Sequence, residues 1–227
     1  MPFLQWSHMY TPKHYREEDR QKIVAFMHQN EFATLVAYDG KRSIAGHFLM
    51  EVVSDDDEAI YINGHMSKAN PLWKSFERNP EVLVIFQGAH TYISPTWYNH
   101  VNVPTWNYIS VHAYGNPRII SDHAEYQAML QRLVSKQETG SNPHSEYRLE
   151  TLPQDIVMGQ MKGTVGFQIK VTQLDANFKL SQNRDDEDYQ NIIIELEKRL
   201  DDLSHGVANA MRDNRPEKTD LSLRETK

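Results

Sequence analysis

The residues of this chain best placed to do chemistry fall in one short run: His65, Ser67, Lys68 and Asn70. An imidazole, a hydroxyl and an ammonium precede Asn70 and Pro71. Asn before Pro, ahead of a mixed apolar and charged run, marks a helix start. Asn70 suits the N-cap, and Pro71 suits the first helical position, where its missing N–H costs nothing. The spacing then aims free backbone N–H groups, the positive end of a helix dipole and a lysine at one small volume. That is an anion site in outline. Taken singly, each residue reads as a capped helix beside a solvated lysine. The cluster carries the anion reading.

The elements that must position these groups lie in Ala59–Gly88. Ala59 to Asn63 is apolar and β-rich, and the donor-crowded loop follows. A short helix comes next, then the run EVLVIFQG (81–88), whose unbroken apolar character predicts a strand buried on both faces. Upstream, 16–30 reads as a helix with Ile23, Val24 and Met27 on one stripe and Glu17, Glu18 and Asp19 in its first turn. Phe32 to Tyr38 and Ser43 to Val53 read as strands joined at Asp39-Gly40, a strong hairpin signal. His47 sits in the second of them. Downstream, 95–104 is an aromatic loop. Asn107 to Ser121 reads as a strand pair broken at Gly115-Asn116-Pro117. Asp122 with Glu125 forms a capping box ahead of a helix carrying Tyr126, Met129 and Leu133. A short helix over 153–161 and an alternating strand over 163–174 follow. The sequence FKLSQNR precedes one apolar-striped helix from Asp185. Six or seven strands in hairpin-like runs, with three or four helices, predict a mainly β fold with peripheral helices, an antiparallel barrel.

Composition narrows the function classes. The chain has 227 residues, a formal charge of −7 and no cysteine. Disulfides, thiolate zinc sites and cysteine nucleophiles are excluded. The acidic balance argues against nucleic acid as the main partner. No stretch approaches the roughly 20 apolar residues of a membrane span, so a cytoplasmic protein is the default expectation. The eleven histidines are scattered without metal-ligand spacing, so no metal is expected. No phosphate-loop, dinucleotide, nucleophile-elbow or zincin motif occurs, and no catalytic residue can be named. Trp97, Tyr98, His100 and Trp106 could stack on a planar ligand or build a dimer interface.

Five blocks in order carry a family resemblance: YTPKHY (10–15), GHMSKANPLW (64–73), LVIFQGAHTYISPTWY (83–98), VPTWNYISVHAYG (103–115) and VGFQIKVTQLDANFKLSQNR (165–184). They cover most of 9–184, and in them the chain closely resembles the PaiB family of FMN-binding negative transcriptional regulators. The resemblance implies a split β-barrel of the FMN-binding, flavin-reductase-like type, with FMN at a homodimer interface. By position, Ser67 and Lys68 would hold the phosphate, with His65 and Asn70 beside them. His47 and Phe48 look similar to positions along the flavin ring, and Trp97 and Trp106 would cover the ring from the second subunit. Many relatives carry Ala and Arg where this chain has Ser67 and Lys68; either cation neutralises a phosphate. The domain expectation is a split barrel with its arm and first helix over 1–184, a C-terminal helix over 185–211 and a disordered tail over 212–227. The alternative to a flavin-bound regulator is a flavin- or haem-dependent oxidoreductase of the same superfamily. Direct DNA contact is disfavoured, because no helix-turn-helix appears and the helix from Asp185 opens on DDED, which phosphate repels.

Overall fold

The computed structural model describes residues 9–55, 59–78 and 81–215. Six strands are present among them: β1 (Phe32–Tyr38), β2 (Ser43–Ser54), β3 (Ile60–Ser67), β4 (Val82–Ile93), β5 (Thr105–Ile119) and β6 (Thr164–Lys179). Their order is β1-β2-β3-β6-β5-β4, closed by antiparallel pairing of β4 with β1. Five α-helices accompany them: α1 (Arg20–Gln29), α2 (His123–Ser141), α3 (Gln154–Lys162), α4 (Asp186–Glu197) and α5 (Asp202–Asn214). The expected mainly β split barrel with peripheral helices is the observed class.

The chain divides into two compact units. The first holds Glu18–Gln87 with Val111–Ala176, and the second holds Tyr10–Glu17, Gly88–Ser110 and the chain from Asn177 onward.

In the first unit the β1–β2 hairpin forms as its turn chemistry requires. Gly40 takes φ +94°. Asp39 Oδ1 accepts from Lys41 N (2.7 Å) and Arg42 N (2.9 Å), which closes the turn. Leu35, Met50, Ile62, Val84, Phe167 and Ile169 are fully buried and fill the barrel interior. Asp19 does not sit inside α1. It caps the helix, accepting from Gln21 N and Lys22 N. The α2–α3 pair packs through Tyr126, Met129, Val157 and Met161. A polar chain also pins α2. Arg132 donates to both carboxylate oxygens of buried Glu51 (2.8 and 3.0 Å), and Lys136 pairs with buried Glu31.

In the second unit the expected single helix over 185–211 is two. The chain leaves α4 at Lys198 and restarts at Asp201, whose side chain accepts from Ser204 N (2.8 Å) and caps α5. An Asp-x-x-Ser start inside an apolar stripe is a helix boundary that periodicity alone reads through. α5 runs to Asn214, so the first residues of the expected tail are helical, and the tail beyond 215 lies outside the described residues. Of the expected N-terminal arm, 1–8 also lie outside the described residues, and Lys13–Tyr15 form a single 3₁₀ turn. The expected break at Gly115 is absent, since β5 runs unbroken from Thr105 to Ile119. A Cβ on Gly115 would stand 2.4 Å from Lys170 O. This glycine marks a close approach of β6, not a turn.

Candidate functional site where two strands part

The site grows out of a parting in the sheet of the first unit. The β2–β3 ladder runs from Ser54↔Ile60 to Met50↔Gly64 and stops. Beyond it, β2 stays paired with β1, from Leu49↔Phe32 to Ser43↔Tyr38. β3 stays paired with β6, through His65↔Gly166 to Ser67↔Thr164. The two strands therefore diverge, and the turn Pro71–Ser75 packs against β1 and β2 at the opening. Gly46 and Gly64 make room for what fills it. A Cβ on Gly46 would meet the Phe48 ring at 2.5 Å, and one on Gly64 would meet the Phe167 ring at 2.5 Å. Phe48 and Phe76 each meet Phe167 edge to face, at 6.1 and 5.6 Å between centroids.

His65, Ser67 and Lys68 line the β3 side of this parting. His65 belongs to the strand and not to a loop, because β3 extends four residues past Asn63. Its imidazole is half-buried, and Nδ1 is buried with no hydrogen-bond partner among the described residues. Burial holds its pKa below the usual 6.5 and favours the neutral ring. Ser67 and Lys68 are exposed at the strand end, and Lys68 makes no ion pair among the described residues.

The helix-dipole part of the anion expectation is corrected here. Asn70 does cap, accepting from Leu72 N at 3.0 Å, but what it caps is a five-residue 3₁₀ turn. So short a turn sums too few peptide dipoles to act as a helix terminus. The loop amides just ahead of it are also committed. Lys68 N donates to Gly163 O (2.9 Å), Asn70 N to Ser67 O (2.9 Å) and Ala69 N to Ser67 Oγ (3.3 Å). Trp73 Nε1 donates to Lys68 O at 3.1 Å and draws the turn closed. What remains for an anion is side-chain chemistry: the Lys68 ammonium, the Ser67 hydroxyl proton and the free edge of His65.

Across the parting, His47 is exposed on β2, with Nδ1 3.0 Å from Thr34 Oγ1 and its ring stacked on Phe32 (6.2 Å). Phe48 points the other way, half-buried against Phe167. Thr34, the partner of His47, is not singled out by the sequence reading, yet the hairpin makes its place legible. A turn at Asp39-Gly40 that pairs Tyr38 with Ser43 places Thr34 opposite His47. Trp97 and Trp106 belong to the second unit. Trp97 is half-buried on the 3₁₀ turn Pro95–Trp97. Trp106 is exposed on β5, with the His90 ring stacked at 5.9 Å and Tyr92 edge-on at 6.4 Å.

A six-stranded antiparallel barrel whose β2–β3 ladder parts at one end is the fold of a split-barrel protein. Residues 9–173 match the family described as "Putative FMN-binding domain", and the chain belongs to that family, whose cofactor is FMN. It is 36% identical over 205 residues to the "Protease synthase and sporulation protein PAI 2" of Bacillus subtilis (strain 168), covering 90% of this chain and 97% of that one. Among solved structures the fold is similar to the flavocytochrome Anf3 from Azotobacter vinelandii (TM-score 0.57, 16% identity, 78% of this chain and 75% of that one). It is also similar to the FAD and heme binding protein from Mycobacterium smegmatis (TM-score 0.55, 13% identity, 78% and 79%). No helix among the described residues is long and apolar enough to cross a membrane.

Proposed function

We propose that this protein binds FMN beside the parting of β2 and β3, and that its flavin-bound dimer serves gene regulation without touching DNA itself. Lys68 and Ser67 receive the phosphate, with Asn70 fixing their turn and His65 offering its free Nδ1 edge to a polar group of the ligand. His47, held by Thr34, lies along the ring, Phe48 backs that strand from inside, and Trp97 and Trp106 supply aromatic cover from a second copy. Bound FMN would supply a planar, redox-active ring; this chain's residues bind and orient it. The observation that carries the reading is Lys68, exposed and without an ion pair among the described residues, next to a hydroxyl whose proton is free.

The test is the visible spectrum of the purified protein after FMN is added and the sample desalted. A retained flavin spectrum in wild type, with about tenfold weaker FMN binding in Lys68→Ala, is expected for loss of one charged hydrogen bond. Unchanged affinity in a folded Lys68→Ala protein removes the phosphate assignment. A haem spectrum in place of flavin would move the function to the oxidoreductase alternative.

A further inference from the structure

The second unit contains a turn whose backbone is strained and whose cations lack carboxylate partners. Ser181 sits at φ +61°, in the left-handed region, though it is not glycine. Such a conformation persists only where its surroundings over-determine it, and it concentrates at functional sites. Here the surroundings are explicit. Buried Asn107 and Ser181 exchange hydrogen bonds at 2.9 and 3.1 Å. Gln182 accepts from Leu180 N at 2.8 Å and donates to Phe178 O.

The strained turn holds Lys179 and Arg184 at its two ends. Neither makes an ion pair among the described residues. Lys179 Nζ donates to Trp106 O (2.8 Å) and Thr105 Oγ1 (2.5 Å), and lies 5.8 Å from the Tyr15 ring centroid. The Arg184 guanidinium lies 4.6 Å from the Tyr98 ring centroid. Burial and Arg184 together push the Lys179 pKa down, so the two cations repel each other. Burial raises the Tyr15 pKa and Arg184 opposes that rise, so this phenol also lies in the field of the guanidinium. Two buried polar atoms have no hydrogen-bond partner among the described residues: the hydroxyl of Tyr98, whose ring lies under Arg184, and Oδ1 of Asn177, two positions before Lys179 on β6. Asn177 Nδ2 donates to Tyr108 OH at 2.9 Å, and its backbone bridges to Arg16.

We infer that Lys179, Arg184 and the Tyr98 hydroxyl form a second binding site, for an oxyanion whose molecule also carries an O–H or N–H donor. The two cations and the phenol supply positive charge and a donor, which select an anion. Asn177 Oδ1 can only accept, so the ligand must bring a donor as well. Hydrogen phosphate and hydroxyl-bearing phosphate esters meet both conditions; sulfate meets only the first. The strained Ser181 and its Asn107 lock hold the two cations together despite their repulsion. This site is made wholly of second-unit residues and does not rest on the FMN reading.

The test is calorimetric titration of FMN-free protein with inorganic phosphate and, in parallel, sulfate. Wild type should bind phosphate, and more tightly than sulfate. Arg184→Gln and Lys179→Met should each weaken phosphate at least about tenfold, as expected for loss of a charged hydrogen bond. Tyr98→Phe, which removes one oxygen and keeps the ring under Arg184, should weaken it less. A phosphate isotherm at the proposed FMN site, read separately, should be the one that Lys68→Ala removes. No phosphate binding by wild type overturns the inference, as does binding that survives in Tyr98→Phe, Lys179→Met and Arg184→Gln alike, or binding lost only in Lys68→Ala. Should Arg184→Gln fail to fold, Lys179→Met and Tyr98→Phe decide the question. Loss of FMN binding alone, with phosphate still bound, would sink the proposed function and leave this site standing.

Discussion

At the scale of single residues, the informative groups are those the fold leaves unpaired. His65 carries a buried nitrogen without a hydrogen-bond partner among the described residues and a pKa held down by burial. The unfolded chain takes up its proton near the ordinary value of 6.5, and the folded chain only at lower pH. Between those values the unfolded state binds more protons, so stability falls as pH drops through the window. His112 adds to the same slope, since burial lowers its pKa while Asp175 partly restores it. Melting temperatures of His65→Gln, followed from about pH 7 to about pH 5, should fall less than those of wild type. Parallel curves would show that the folded protein does not keep this imidazole neutral. The residue types at 65–70 were legible in the sequence, and so was the cap made by Asn70. The use of the turn's amides was not. Lys68 N is taken by Gly163 O, a partner 95 positions away that no local pattern announces.

At the scale of elements, the two sides of the parting are held by different means. On the inside, Gly64 is filled by the Phe167 ring, with the Met50 sulfur 3.1 Å from a Cβ placed there. Gly64→Ala should therefore destabilise the protein by about 1–3 kcal/mol through overpacking. Chemical denaturation would show it as a lowered midpoint at unchanged slope. On the outside, α2 is tied to the sheet through Glu51, which accepts from Arg132 and from Asn63 Nδ2 (2.9 Å). Arg132→Met would leave the Glu51 carboxylate buried with only an amide donor. Because Arg132 is itself half-exposed, the cost should be nearer about 1–3 kcal/mol than the larger figure for a fully buried pair. Glu51→Gln in the same background should recover part of it; a double variant no more stable than Arg132→Met would argue against a charge penalty. β4 was readable as a strand, but the expectation that it is buried on both faces is corrected, since Val82, Val84 and Phe86 are buried while Leu83 and Ile85 between them are only half-buried. The hairpin and the α2 cap were readable because turn chemistry is local. The single strand through Gly115 and the strand position of His65 were not. Both depend on pairing with β6, whose register is set by residues some fifty to a hundred positions away.

At the scale of the whole molecule, charge and exposed apolar surface point to protein partners over nucleic acid. The net charge is −7, and α4 opens on Asp186, Glu187 and Asp188 behind the capping Asp185. Neither presents a basic face to a phosphate backbone. A gel shift on DNA that weakens with salt would overturn indirect regulation; no shift at low salt is expected. The outer face of β1 and its neighbours has a different character. Phe32 is 74% exposed and Tyr38 49% exposed, while Val36, Leu49, Leu83 and Ile85 are only half-buried. Strand alternation puts these apolar side chains on the side opposite Ala33, Leu35 and Ala37, which face the core. An apolar strand face that no helix among the described residues covers is a site for association, and under the proposed function a second copy of this chain would occupy it. Burying a Phe side chain contributes about 1.5–3 kcal/mol. Phe32→Glu both removes that and places a charge in the interface, so it should weaken self-association by well over about tenfold. Light scattering across a dilution series should then give a dimer for wild type and a monomer for Phe32→Glu at the same concentration. If the variant stays dimeric, the copies meet on another face. If wild type is already monomeric, Trp97 and Trp106 cannot cover a flavin from a second subunit, and the ring must be bound by one chain alone.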